Sequence, residues 1–268
     1  MKSIFAQRRP GLAAGAVWLA IGLAGCGSTP KDDTANWSAE KLYAEAKEEA
    51  AAGSFERAGK LFERLEGRAS GTLLSQQAQL ERAYVHYRVN EKAQALSLLE
   101  RFIKLHPISP ALDYALYLQG LVNFNDNLGL LGNLASQDLS ERDQQAARDS
   151  YQSFKQLTEQ FPQSLYADDA RVRMNYIVNS LASYEVHVAR YYFRRGAYVA
   201  AANRAQQAVQ EFQQAPSAEE ALVLMVQSYD RLGLTELRDD ADRVLRKSFP
   251  STRVDVGGAR QKPWWQIW

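Results

Sequence analysis

Side chains able to make or break bonds are sparse in this chain of 268 residues, which holds one cysteine, Cys26, and three histidines, His86, His106 and His187. The histidines stand far apart in helix-forming surroundings, without the His-Glu-x-x-His spacing that sets two imidazoles on one face for zinc. No Gly-x-Ser-x-Gly elbow, P-loop or Gly-x-Gly-x-x-Gly turn is present, so neither an activated serine nor a phosphate cradle is written in the chain. Adjacent carboxylates occur at Asp168-Asp169 and Asp239-Asp240. Neighbours on a helix point in different directions, so these pairs read as solvated charges rather than as shared proton or metal sites. The expectation is a protein that is not an enzyme and carries no metal or catalytic cofactor.

Cys26 has a different use. Lys2, Arg8 and Arg9 form a basic start, and Gly11 to Ala24 an apolar run too short to span a bilayer, the pattern of an export signal. The residues Leu23-Ala24-Gly25-Cys26 resemble the lipobox of bacterial lipoproteins, in which cleavage before the cysteine leaves it as a lipid-modified first residue. In such lipoproteins an Asp directly after the cysteine retains the protein in the inner membrane. Here Gly27 and Ser28 follow, so the resemblance points to the outer membrane and its periplasmic face. A lone cysteine excludes an intramolecular disulfide. Residues 1–25 are thus expected to be a signal peptide and residues 26–36 a lipidated Cys26 with a flexible polar spacer.

Removing residues 1–25 takes away three cations and no acid, leaving 29 Lys and Arg against 31 Asp and Glu, a formal charge of −2. Nucleic-acid binding needs a basic excess and is not expected. No apolar run after the signal reaches the ~18 residues of a membrane helix.

The elements that remain are helices. Apolar residues recur three and four apart in Phe55, Ala58, Phe62 and Leu65, and again in Tyr198, Ala201, Ala205, Ala208 and Phe212, as one face of an α-helix requires. These stripes repeat. Ala83, Asn90, Ala95, Leu99, Phe102 and Pro107 match the tetratricopeptide (TPR) frame, in which small residues let two helices approach, aromatics fill the groove and Pro stops the second helix. Ala46, Gly53, Phe55, Ala58 and Phe62 fall in register before it, and Ala189, Tyr192, Gly196, Tyr198 and Ala201 after it. Val226, Tyr229, Gly233 and Pro250 make a last unit, with Ser217 and Glu220 as an expected capping box. The fold class is all-α, an α-α superhelix of about five TPR repeats.

Two irregularities break the frame. Gly120 and Ser150 should be the close-packing pair of the third repeat but stand 30 residues apart. An insertion over residues 125–141 accounts for this, carrying Leu128, Leu130, Leu131 and Leu134, which either fold back on the body or meet a partner. Between Pro162 and Gly196 there is no Pro or Gly, so one long helix is expected to close repeat three and open repeat four. Residues 37–162 then hold repeats one to three, residues 163–252 the long helix with repeats four and five. Residues 253–268 form a flexible tail with Trp264, Trp265 and Trp268, read as a partner motif or a membrane-interface contact.

The lipobox, the five repeats and several longer phrases together resemble the BamD (YfiO, ComL) family of TPR lipoproteins. The phrases are "SQQAQLERAYVHYR", "RFIKLHPISPALDYALYLQGLVNF", "LASYEVHVARYYFRRGAYVAAANR" and the inserted loop ending "SERD", spread over most of residues 38–250. The resemblance implies a non-catalytic scaffold of the β-barrel assembly machine. Its partners would be a periplasmic POTRA domain of the insertase BamA, accessory lipoproteins such as BamC and BamE, and the C-terminal targeting segment of unfolded β-barrel precursors, received on the N-terminal repeats. Within Gly196 to Arg204 the family's BamA-contacting arginine falls on Arg204, with Asn203 and Tyr198 as its neighbours in the motif. Where family members often carry an aromatic-Pro pair near the precursor site, this chain reads Arg68-Ala69-Ser70-Gly71. A TPR lipoprotein piloting secretin or pilus assembly would share anchor and fold. A helical enzyme acting on peptidoglycan would need a catalytic Glu in a cleft, which no motif supplies.

Overall fold

The computed structural model describes residues 33–124 and 141–252. Cys26, the leucines of the insertion and the three tail tryptophans lie outside the described residues.

Among the described residues ten helices follow one another: α1 (Ala39–Ala51), α2 (Phe55–Arg68), α3 (Leu73–Arg88), α4 (Lys92–Leu105), α5 (Leu112–Asn123), α6 (Glu141–Gln160), α7 (Ala167–Arg194), α8 (Tyr198–Glu211), α9 (Ala218–Arg231) and α10 (Thr235–Ser248). No strand occurs among the described residues. Each helix packs on the next along the chain, and short connections make neighbours antiparallel, so the pairs stack as five helical repeats. Both stripes read from the sequence are turned inward: Ala58, Phe62 and Leu65 of α2 and Ala201, Ala205 and Ala208 of α8 are buried.

In repeats one, two, four and five the internal turn is set by one residue. Asn90 has φ 62° and Gly196 φ 75°, with Gly53 and Gly233 at the equivalent places. The left-handed conformation lets the next amide reach back and close the helix: Glu91 N–H donates to the His86 carbonyl at 2.9 Å and Ala197 N–H to the Tyr192 carbonyl at 3.0 Å. In the third repeat the displaced pair does meet. The Ser150 hydroxyl donates to the Gly120 carbonyl at 2.8 Å, and a Cβ on Gly120 would collide with the buried Phe154 ring.

Two expectations need correction. Ser217 makes no capping hydrogen bond and is itself helical in backbone, because its hydroxyl instead meets that of Ser183 at 3.0 Å and Glu220 is taken by Arg190 at 2.5 Å. Packing between α7 and α9 outcompetes the local cap. The long stretch before Gly196 forms the 28-residue α7, but α6 is already the second helix of repeat three, and the chain breaks between them over Phe161–Tyr166. Helix α7 therefore opens repeat four. Its first half still belongs to the third core, where Ala170, Ile177 and Leu181 join Leu116, Phe154 and Leu157, while Val186 and Ala189 join the fourth.

Antiparallel stacking gives the array two edges. Odd helices begin and even helices end along one, the entry edge; the turns inside the repeats form the other, the turn edge. The chain joins the body at the entry edge, where Arg64 donates to the Thr34 hydroxyl at 3.0 Å and Arg68 donates to the carbonyls of Thr34 at 2.9 Å and Trp37 at 2.5 Å. Thr34 is buried there.

Candidate functional site

Most of the described groups singled out by type are engaged in structure. His86 pairs with Glu91 at 2.6 Å, His106 lies against the Phe102 ring, and His187 is exposed. The carboxylates of each adjacent pair bind different cations: Asp168 takes Arg171 and Asp169 takes Arg173, while Asp239 takes Arg238 and Asp240 takes Arg243. Among the described residues no group of His, Cys, Asp or Glu could hold a metal ion. None of the described helices is long and apolar enough to cross a membrane.

A groove of about 390 Å³ opens between the odd helices of repeats two and three. Its floor is Leu80 and Ala111, its rim Leu73 and Pro110, and its far wall Tyr114 of α5 with Tyr166 just before α7. Polar groups are few and placed around this apolar lining, the usual make-up of a recognition site: Gln76 accepts from the Ser109 hydroxyl at 2.9 Å, Gln77 reaches the Tyr43 hydroxyl, and Glu81 is held by Lys47 at 2.8 Å. That hydrogen bond to Glu81 raises the Lys47 ammonium above its usual range. Burial, with Glu81 nearby adding to it, pushes the Tyr114 hydroxyl well above its ordinary value. Tyr114 is neutral at any physiological pH.

The aromatic wall is braced from behind. Tyr117 and Tyr166 stack with centroids 4.7 Å apart, and Tyr114 meets Tyr166 at 5.6 Å. The Tyr117 hydroxyl donates to Asp169 at 2.7 Å, and Arg173 donates to the same carboxylate at 2.6 Å. Burial pushes the Asp169 carboxyl up, but the hydrogen bonds from Arg173 and Tyr117 outweigh it and hold it below the usual carboxylate range. The start of α7 thus locks the wall to α5.

The other candidate residues lie on α8. Arg204 donates through Nη1 to the Glu185 carboxylate of α7 at 3.1 Å, and Glu185 is only 2% exposed while the arginine side chain is 43% exposed. One face of the guanidinium is committed inward and the rest reaches the surface. Asn203 beside it is exposed. Tyr198, at the start of α8, packs edge-on against Phe193 at 5.3 Å with Arg231 over its ring at 6.0 Å. Six residues separate Tyr198 from Arg204, about 120° around the helix and about 9 Å along it. The three share a helix but not one side-chain cluster. Glu185 was not singled out from the sequence, although a carboxylate on the stripe Ala182, Val186 and Ala189 signals a buried charge that needs a partner.

At the departure Arg68–Gly71, the structure gives the residues a structural part: Arg68 pins the entering chain, Gly71 has φ 81°, and Thr72 caps α3 by accepting from Ser75 N–H at 3.2 Å.

Residues 35–244 match the model of the YfiO family, described as outer membrane lipoprotein. The chain belongs to that family. Among YfiO relatives, the outer membrane protein assembly factor BamD of Neisseria meningitidis serogroup A is 44% identical over 259 residues, 94% of this chain and 97% of its own. BamD of Xylella fastidiosa is 35% identical over 83% of this chain and 76% of its own, and that of Vibrio cholerae 32% identical over 80% and 88%. A solved structure titled BtubC (BKLC) from P. vanneervenii aligns at a TM-score of 0.30 and 14% identity over 84% of each chain, too distant to carry an argument. Membership sets this YfiO protein at the outer membrane, as the lipobox and the residues after Cys26 lead one to expect.

Proposed function

We propose that this YfiO-family lipoprotein is a scaffold of the β-barrel assembly machine, tethered to the outer membrane through the lipid on Cys26, its only cysteine. Its N-terminal repeats receive the C-terminal targeting segment of unfolded β-barrel precursors, and its α8 region docks a POTRA domain of BamA. BamC and BamE are further partners.

The observation that carries this reading is the groove between α3 and α5. An extended peptide with aromatic side chains needs an apolar trough with a few hydrogen-bonding groups at its rim, and Leu73, Leu80, Tyr114 and Tyr166 with Gln76, Gln77 and Glu81 supply both. On α8, the half-exposed Arg204 guanidinium offers a planar fork that a carboxylate or carbonyl of a partner fits. No bond is made or broken. The subunit acts by holding precursor and insertase close together, which lowers the entropic cost of their encounter.

The test is affinity purification of the full-length lipoprotein from detergent-solubilised membranes, comparing wild type with Arg204→Lys, which preserves a cation beside Glu185. BamA should accompany the wild type and be lost from a variant whose thermal melt is unchanged. Recovery of a secretin without BamA would establish the rival pilot reading instead.

A further inference from the structure

We propose that the entry edge is a membrane-contacting surface, which lays the array against the lipid of the outer membrane rather than leaving it free to swing on its anchor. The proposal rests on the lipid anchor at Cys26 and goes beyond the scaffold reading by assigning a lipid-facing surface.

Two features meet at this edge, and a third lies in the sequence that continues from it. The first is the anchor's point of attachment. Eight residues separate Cys26 from Thr34, and even fully extended they span at most about 29 Å. Arg64 and Arg68 fix Thr34 at the entry edge, so that edge is held within a short reach of the bilayer. The second is apolar side chains with no cover. Ile108, between α4 and α5, is 96% exposed, and Leu165, between α6 and α7, is 95% exposed; Leu73 at the start of α3 is 70% exposed. The turn edge also carries apolar residues, such as Leu234 and Val199, but each of them is roughly half covered. A single exposed Leu is ordinary. Fully bared crests on successive connections, all on the tethered side, are not accounted for by packing. The third is the sequence beyond α10, which leaves the described residues at Thr252 on the same edge and carries Trp264, Trp265 and Trp268. Tryptophan is the residue enriched where hydrocarbon meets headgroups.

A lipid chain fixes where a protein is but not which way it faces. Weak insertion of Ile108 and Leu165 suffices to choose a direction, because the anchor already holds the edge at high local concentration near the surface. The groove rim at Leu73 and Pro110 lies on this edge, so the bilayer and the mouth of the groove come to face each other.

The experiment uses full-length lipidated protein in vesicles of phosphatidylethanolamine and phosphatidylglycerol. A reporter cysteine is placed at Ile108→Cys, Leu165→Cys or, on the turn edge, Leu234→Cys; acylation of Cys26 leaves the new thiol as the reactive one. Each is labelled with an environment-sensitive fluorophore and challenged with nitroxide-bearing lipid. Blue-shifted emission and loss of intensity at 108 and 165, with neither at 234, is the expected result. In the background Ile108→Asp, the Leu165→Cys reporter should lose its quenching while vesicle flotation is unchanged. Equal quenching at all three positions, or none, overturns the proposal. So does a shift at 108 and 165 that requires added BamA, which would make the edge a protein interface. A preparation that recovers BamA yet shows no quenching removes the membrane edge and leaves the scaffold reading standing.

Discussion

The two candidate surfaces are built on opposite plans. Around the groove between α3 and α5, charge is kept at the margin and the wall is aromatic, with Tyr117, Tyr166 and Asp169 satisfying one another. On the α7–α8 face a carboxylate, Glu185, is buried in the helix interface, with the Arg204 guanidinium as the one side chain bound to it among the described residues. The first plan gives a trough whose aromatic wall is held by contacts among its own supporting residues. The second ties a surface residue to the core, so that Arg204 cannot be altered without asking what becomes of Glu185.

The largest effect should come from breaking that tie. Arg204→Ala leaves a carboxylate unpaired in a helix interface, where removal of one partner costs up to about 3 kcal/mol. Urea unfolding should show this loss, and the double variant with Glu185→Gln should recover most of it. If the double variant is no more stable than the single, the pair is not what holds α8 to α7. Next, behind the groove, Gly120→Ala drives a methyl into Phe154 and should cost about 1–3 kcal/mol through overpacking. Precursor binding should fall with it only if the groove depends on the α5–α6 contact. A smaller loss, about 1 kcal/mol, is expected for Tyr166→Ala, which removes one ring of the stack. Crosslinking of a precursor peptide to the N-terminal repeats should nevertheless drop sharply, while BamA recovery stays intact. That split is the sharpest separation of the two surfaces.

The smallest effect is on acid stability. The Asp169 carboxyl is held below its ordinary value of 3.8, so what it contributes is fully present above that pH and is lost as pH falls through the lower folded value. Asp169→Asn should flatten the acid limb of a pH-stability curve by removing this contribution at neutral pH, while the two proteins converge at pH below the folded value.

Much of the architecture was legible because TPR packing is periodic. The small and aromatic residues at Ala58, Phe62, Ala95 and Phe102 announce buried faces, and Gly53, Asn90, Gly196 and Gly233 announce the turns. Even the displaced pair of Gly120 and Ser150 could be recovered by following the frame. What failed was local grammar under tertiary pressure: Ser217 and Glu220 fit a cap, yet Ser183 and Arg190 on α7 took both side chains. The groove was less visible. Gln77, Tyr114 and Tyr166 come from separate segments, and nothing in their spacing states that stacking brings them to one trough. Arg204 came from resemblance; its buried counterpart required the structure.

At about 42 Å, α7 is twice the length of most other helices in the array. Solenoids are ordinarily modular, and whole units can be added or removed because each touches only its neighbours. A helix that serves two consecutive cores forbids that operation at this place. Any excision or duplication with a boundary inside α7 would strip one core to mend the other. The junction between repeats three and four is therefore a splice that recombination cannot use, and the spacing between groove and α8 face is inherited as a fixed length.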